Sequence, residues 1–418
     1  MGCRIQARQL LGLGANAAPL SHNATPHHHQ EHHTVTNTTS NTTTTTANTT
    51  TTTTAAPLSA PRLGAARANA PQRLPEDVAG LLDAFGLTLA GLLTTSSHKA
   101  QLTTRAGVAR SAMHYALPHR ALARAVDVNN TGATTAPRGF IAPLRDLAVA
   151  RGMLAVALSH NGCMHATPGC AAACLAHSGH GGLSVLVQAA RGRRTLAMLA
   201  DPHTYARAVV FAVAAELQRA ERAGMPLALR LNGTDEAPWC TAHTFALTAA
   251  DAEHLRRRFG VVVETGAILN LADAFAPERS RLHLYEYLKA PVDHWSGLRA
   301  WHASGWDVTA SFAADRSTAC RDAVDAVRAG FRVAVPVALK RNAAPLRSVT
   351  FETTRGDVVT LPAVDGDATD ARYLDPAGVA VILREKTARG ADRAHADRFV
   401  LPDAPAVDLA DGRVLLTR

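Results

Sequence analysis

Two hydrophobic patterns alternate along the chain: apolar positions at helical spacing, and short continuous apolar runs. Behind Pro75, with Glu76 and Asp77 in its first turn, Val78–Leu93 carries apolar residues at helical spacing. An acidic start suits the helix dipole, so a helix is predicted there. Leu144–Arg151 reads as a helix. Tyr205–Ala223 reads as a long amphipathic one, ended by Gly224 and Pro226. Ala250–Phe259 and Thr318–Ala329, the latter closed by Gly330, complete the predicted helices. Strands are predicted at Met153–Leu158, Leu227–Leu231, Leu282–Tyr287, Asp307–Phe312, Phe331–Leu339 (broken by Pro336), Val379–Leu383 and Arg413–Leu416. Leu102–Val126 fits neither pattern cleanly.

Strands separated by single helices or long loops imply parallel β/α units. The expected class is α/β, with mainly parallel units forming an incomplete or distorted barrel or an open sheet. Four strand ends are polar: a cysteine-rich loop after Leu158, Asn232-Gly233-Thr234-Asp235, Tyr287 with Lys289, and Ser311 with Asp315. Ligands of parallel α/β folds bind at the carboxyl ends of strands, so these ends should share one mouth. Residues 76–402 are expected to form one α/β domain, with 403–418 an extension or last strand.

Residues 1–75 break the pattern. His27–His33 precedes a Thr/Asn tract, and an Ala/Pro/Arg stretch follows. Too little apolar surface is present to offset chain entropy, so a disordered tail is expected. The first residues lack the apolar core of a secretory signal and the Ser/Thr of a myristoylation signal. No apolar run is long enough for a membrane span. With six cysteines in 418 residues, a reducing, cytoplasmic setting with no membrane partner is the simplest expectation.

Three of those cysteines fall within twelve residues, as Cys163-x6-Cys170-x3-Cys174. Three thiolates can hold three irons of a four-iron cluster and leave the fourth iron open to substrate or S-adenosylmethionine. The x6/x3 spacing departs from the x3/x2 of radical enzymes. Zinc is the alternative, with His165, His177 or His180 as fourth ligand. Buried small cysteines in an Ala-rich loop are the third reading.

Arg230, Asn232, Asp235 and Lys289 are the candidate catalytic residues, since a guanidinium with neutral hydrogen-bonding neighbours suits a carboxylate. Thr234, Tyr287, Ser311, Asp365 and Asp367 are candidate cofactor contacts. Tyr287 and Lys289 share a strand face, and Asp365-Gly366-Asp367 with Asp370 could hold Mg²⁺ or form a turn. The formal charge of +9 permits an anionic small molecule or a nucleic-acid substrate. Arg191, Arg193 and Arg194 are the candidate phosphate contacts, although interleaved aromatics are absent. Phosphate-loop, serine-elbow and zinc-protease signatures are also absent.

Taken in order, these motifs resemble the phage gene-product-88-like family of uncharacterised phage and prophage proteins. The resemblance rests on Asn161-Gly162-Cys163, Pro168-Gly169-Cys170 with Cys174, Arg230–Asp235, Leu284–Lys289, Thr309–Phe312, Val364–Asp367 and Arg372–Pro376. It implies a phage-type protein with a shared three-cysteine loop. It carries no settled reaction.

Overall fold

A computed structural model describes residues 73–129, 140–174, 176, 184–237, 239, 245–268, 270–291, 302, 305–340, 342–386 and 392–418. Residues 1–72 of the proposed tail, His177 and His180 lie outside the described residues.

Eleven strands form one open sheet. In chain order its strands are β1 (Leu93–Thr94), β2 (Arg110–His114), β3 (Leu227–Arg230), β6 (Leu282–Leu288), β7 (Trp306–Ser311), β8 (Arg332–Val337), β9 (Ser348–Thr353), β10 (Val358–Asp365), β11 (Ala380–Arg384), β12 (Ala406–Leu409) and β13 (Gly412–Thr417). β4 (Phe245–Leu247) and β5 (Gly266–Ile268) pair separately. Seven sheet strands run parallel, in the order β2-β3-β6-β7-β8-β11-β10. Antiparallel β1 flanks one edge, and β9-β13-β12 the other. From β2 to β8 the order advances in one direction. Right-handed crossovers then place the connecting segments on one face.

Burial follows that asymmetry. Leu229, Leu284, Val308 and Val333 enter the main core with Val209 and Val213. The opposite face carries only two small apolar clusters, Tyr287 with Ala334, Val379 and Val381, and Tyr285 with Ala109 and Ala228. Period-two alternation thus gives each strand a core face and a cavity face.

The helices are α1 (Glu76–Ala84), α2 (His98–Arg105), α3 (Ala121–Val126), α4 (Ala142–Ala150), α5 (Leu154–Ser159), α6 (Pro168–Ala172), α7 (Val185–Ala200), α8 (Pro202–Arg222), α9 (Ala249–Phe259), α10 (Leu271–Ala274), α11 (Ala319–Arg328) and α12 (Arg393–Phe399). α9 shows why its sequence stops where it does. Thr248 and Asp251 form a reciprocal capping box, and Gly260 takes the left-handed conformation behind it. Helix α1 ends sooner than the apolar pattern predicts, at Ala84, and a 3₁₀ turn spans Leu89–Gly91.

Three expectations are corrected. Met153–Leu158 is not a strand: α5 occupies it, with Met153 and Ala157 buried one helical turn apart and Ala155, Val156 and Leu158 exposed. A six-residue apolar run fits either element, and the i, i+4 burial decides it. The cysteine loop therefore follows a helix, and the first parallel strand is β2, inside the stretch that fitted neither pattern. Finally, Pro336 does not break β8. It lies past the last residue of β8 paired to β7, Ala334, so its missing N–H removes no ladder bond to β7. Its carbonyl accepts from the Leu401 N–H at 3.0 Å.

Candidate active site

The cysteine loop is built onto the sheet by carboxylates. Thr167 caps α6 by accepting from the Cys170 N–H at 3.1 Å, with Pro168 in the first turn. Beyond β7, Asp315 accepts from the Thr167 hydroxyl at 2.6 Å and from the Gly169 N–H at 2.8 Å. Glu236 holds the other side. One of its oxygens accepts from the Lys289 and Ala290 N–H groups at 2.9 and 3.0 Å, and the other from the His165 N–H at 3.4 Å. Glu286, on the core face of β6, accepts from the Leu231 and Asn232 N–H groups at 2.7 and 3.0 Å. Burial pushes the Glu286 carboxyl up to about 8.

Glycine permits the close approach. A Cβ on Gly162 would lie 2.4 Å from the Leu117 carbonyl oxygen, and one on Gly169 would lie 2.5 Å from the Phe399 Cβ. Gly162 also bonds the two loops, its carbonyl accepting from the Glu236 N–H at 2.8 Å.

At the carboxyl ends of β3, β6, β7, β8 and β11 lies a cavity of ≈ 180 Å³. Arg230, Asp235, Lys289, Thr234, Tyr287, Ser311, Asp367, His165, Cys170 and Cys174 all line it. The expected shared mouth is present. Asn232, Asp365 and Cys163 do not line it. Asn232 is buried, with its side-chain amide donating to the Ala237 carbonyl at 2.9 Å. Asp365 accepts from the Asp367 N–H at 2.8 Å, and Asp367 in turn accepts from the Arg384 N–H and pairs with Lys386. The Asp-Gly-Asp segment is thus a hydrogen-bonded turn.

Arg230 is fixed on three sides. Its Nε donates to the Asn232 carbonyl at 2.9 Å, its Nη1 lies 3.4 Å from Asp370, and its guanidinium sits 4.5 Å from the Tyr287 ring centroid. The Thr234 hydroxyl donates to the Ala116 carbonyl at 2.8 Å. Asp235 is different. It is 3 % exposed, and both carboxylate oxygens are closed to solvent. Burial pushes its carboxyl up to about 6, partly countered by nearby backbone N–H groups and by Lys289. The Tyr287 hydroxyl is also buried, without a partner.

Lys289 lines the cavity together with Cys170 and Cys174. Burial disfavours its charged form, and Cys163, Cys170, Glu236 and Cys174 together more than offset this, while the Cys163 and Cys170 thiols are pushed up to about 12 by burial. Cys163 is turned aside, its Sγ donating to the Thr234 carbonyl at 3.8 Å. Among the described residues, no group of three or more His, Cys, Asp or Glu side chains is placed to hold a metal ion.

The nucleic-acid contacts expected at Arg191 and Arg194 are corrected. Both side chains are buried on α7 and donate to the Ala176 and Gly91 carbonyls at 3.2 and 2.6 Å. Arg193 reaches the Gly86 carbonyl at 3.5 Å. No helix among the described residues is long and apolar enough to cross a membrane.

Sequence reasoning passed over Arg316, which lines the cavity and donates to the His165 carbonyl at 2.8 Å, as well as Glu236 and Glu286. Glu286 sits inside the quoted Leu284–Lys289 motif. A carboxylate in the middle of an apolar strand was the available signal, since such a group needs buried donors.

Comparisons with curated proteins and with solved structures returned no match. A family model described as Gene product 88 matches residues 122–262, which hold the cysteine loop and Arg230–Asp235. The motifs around Lys289, Ser311 and Asp367 lie beyond the match, yet reach the same cavity. Over residues 122–262 this chain carries the sequence pattern of the gene product 88 family, as its cysteine and asparagine-glycine motifs led one to expect.

Proposed function

We propose that the cavity binds a small anionic molecule and that the protein acts on it as an enzyme, with Asp235 exchanging a proton. Lys289 carries this reading. Its ammonium lines the cavity, and among the described residues no carboxylate forms an ion pair with it. Of the other cations of the lining, Arg230 is matched by Asp370, Arg316 by Asp322 and Lys386 by Asp367. An unmatched cation in an enclosed site invites an anionic ligand. A carboxyl near 6 suits proton transfer close to neutral pH.

Thermal-shift titration of the full chain with phosphate, sulfate and simple carboxylates tests the reading. At least one should raise the unfolding temperature, and Lys289→Met should abolish the shift. Equal shifts in both proteins would refute it.

The shared neighbourhood of three thiols favours a second reading, a three-cysteine iron–sulfur or zinc centre. It requires the Lys289 side chain to withdraw and the thiols to close. Iron and acid-labile sulfide, or one zinc per chain, in anaerobically purified protein would support it. Metal-free protein after reconstitution would sink it.

A further inference from the structure

We propose that the ligand carries a phosphoryl group and that Lys289 and Ser311 hold it together. This rests on reading the cavity as an anion site through Lys289 and adds the chemical class of the anion. The β6–β7 ladder ends with Leu288 opposite Ala310. The next position on each strand sets Lys289 beside Ser311, and paired neighbours of a sheet share a face. Both line the cavity. Among the described residues, neither the Lys289 ammonium nor the Ser311 hydroxyl has a hydrogen-bond partner. A second cavity of ≈ 20 Å³ is also lined by Lys289, Ser311 and Arg316. It has room for about one water, so these three groups form a wall reached from two sides.

The donors decide between anions. A carboxylate is planar and is matched by the paired N–H edge of a guanidinium. Arg230 has engaged Nε with the Asn232 carbonyl and Nη1 with Asp370. Arg316 has engaged Nη1 with Asp322 and Nη2 with the His165 carbonyl. Every paired edge of these two guanidiniums therefore includes a nitrogen already in use. An ammonium and a hydroxyl are left as single donors, with the charge of Arg316 beside them. Such donors suit a tetrahedral oxyanion, whose oxygens point apart. A phosphate monoester, at a charge of about −1.5 to −2 near neutral pH, is also drawn to an ammonium more strongly than a carboxylate is. The nearest acids are occupied elsewhere. Glu236 accepts from the His165, Lys289 and Ala290 N–H groups, and Asp315 from the Thr167 hydroxyl and the Gly169 N–H.

The test is calorimetric titration of the full chain, near neutral pH, with methyl phosphate and with propionate. Wild type should bind methyl phosphate about tenfold or more tightly than propionate. Ser311→Ala should weaken methyl phosphate about tenfold, the scale of one hydrogen bond to a charged group, and Ser311→Thr, which keeps the hydroxyl, should recover part of the loss. Propionate bound as tightly as methyl phosphate overturns the phosphoryl assignment. If that binding is lost in Lys289→Met, the broader anion site stands. If methyl phosphate does not bind, the assignment falls, and sulfate or carboxylate binding at Lys289 decides the broader reading separately. Wild-type affinity in Ser311→Ala overturns the pairing of Lys289 with Ser311. The wild-type comparison needs no variant, so a folding defect cannot obscure it.

Discussion

Asp235 and the loop glycines show what single positions contribute. Burial disfavours the Asp235 carboxylate, so Asp235→Asn should stabilise the ligand-free protein above pH 6 by about 1–2 kcal/mol. Urea unfolding measures this, and a destabilised variant would mean that Asp235 is structurally satisfied. Gly162→Ala should do the opposite. Its Cβ would meet backbone rather than a flexible side chain, and a loss of about 1–3 kcal/mol is expected. Both residues stood in motifs visible in the sequence. Residue types and spacing announced them, but the burial of Asp235 depends on three loops meeting.

Among elements, the strands with continuous apolar runs and polar ends were legible, because burial on both faces of a parallel strand leaves that signature. β3, β6, β7 and β11 lie close to their predicted spans. β2, Arg-Ser-Ala-Met-His, was hidden: its cavity face carries Ser111 and Met113, so no apolar run marks it. β9 alternates half-buried Ser348, Thr350 and Glu352 with buried Val349, Phe351 and Thr353, and Thr360 and Pro362 interrupt β10, so neither shows a continuous run. α5 was misread because six apolar residues carry no period of their own. Helix α6 was not foreseen either, and the carboxylate of Asp315 tethers its start. Asp315→Ala should release that turn, cost about 1–3 kcal/mol and speed alkylation of Cys170. An unchanged labelling rate, read by mass spectrometry, would show that α6 is held from elsewhere.

At the scale of the whole molecule, one open sheet gathers Arg230, Tyr287, Lys289 and Ser311 at a mouth closed by the cysteine loop. Its buried carboxyls make stability depend on pH. Folding raises Asp235 to about 6 and Glu286 to about 8, from ordinary values of 3.8 and 4.5. The folded state thus holds protons that the unfolded chain releases. Their contribution is complete below the ordinary values and is lost as pH rises through about 6 and again through about 8. Denaturant midpoints should therefore fall across that range, and fall less in Asp235→Asn with Glu286→Gln. A midpoint that rises with pH there would contradict the assignment. The central claim, that the mouth holds an anionic small molecule through Lys289, is met most directly by analysing what the protein carries from the cell. Wild-type and Lys289→Met chains would be purified in parallel and denatured, and the released small molecules compared by mass spectrometry. The account predicts a carboxylate- or phosphate-bearing compound released in near-stoichiometric amount from wild type and absent from the variant. The same compound released equally from both would contradict it.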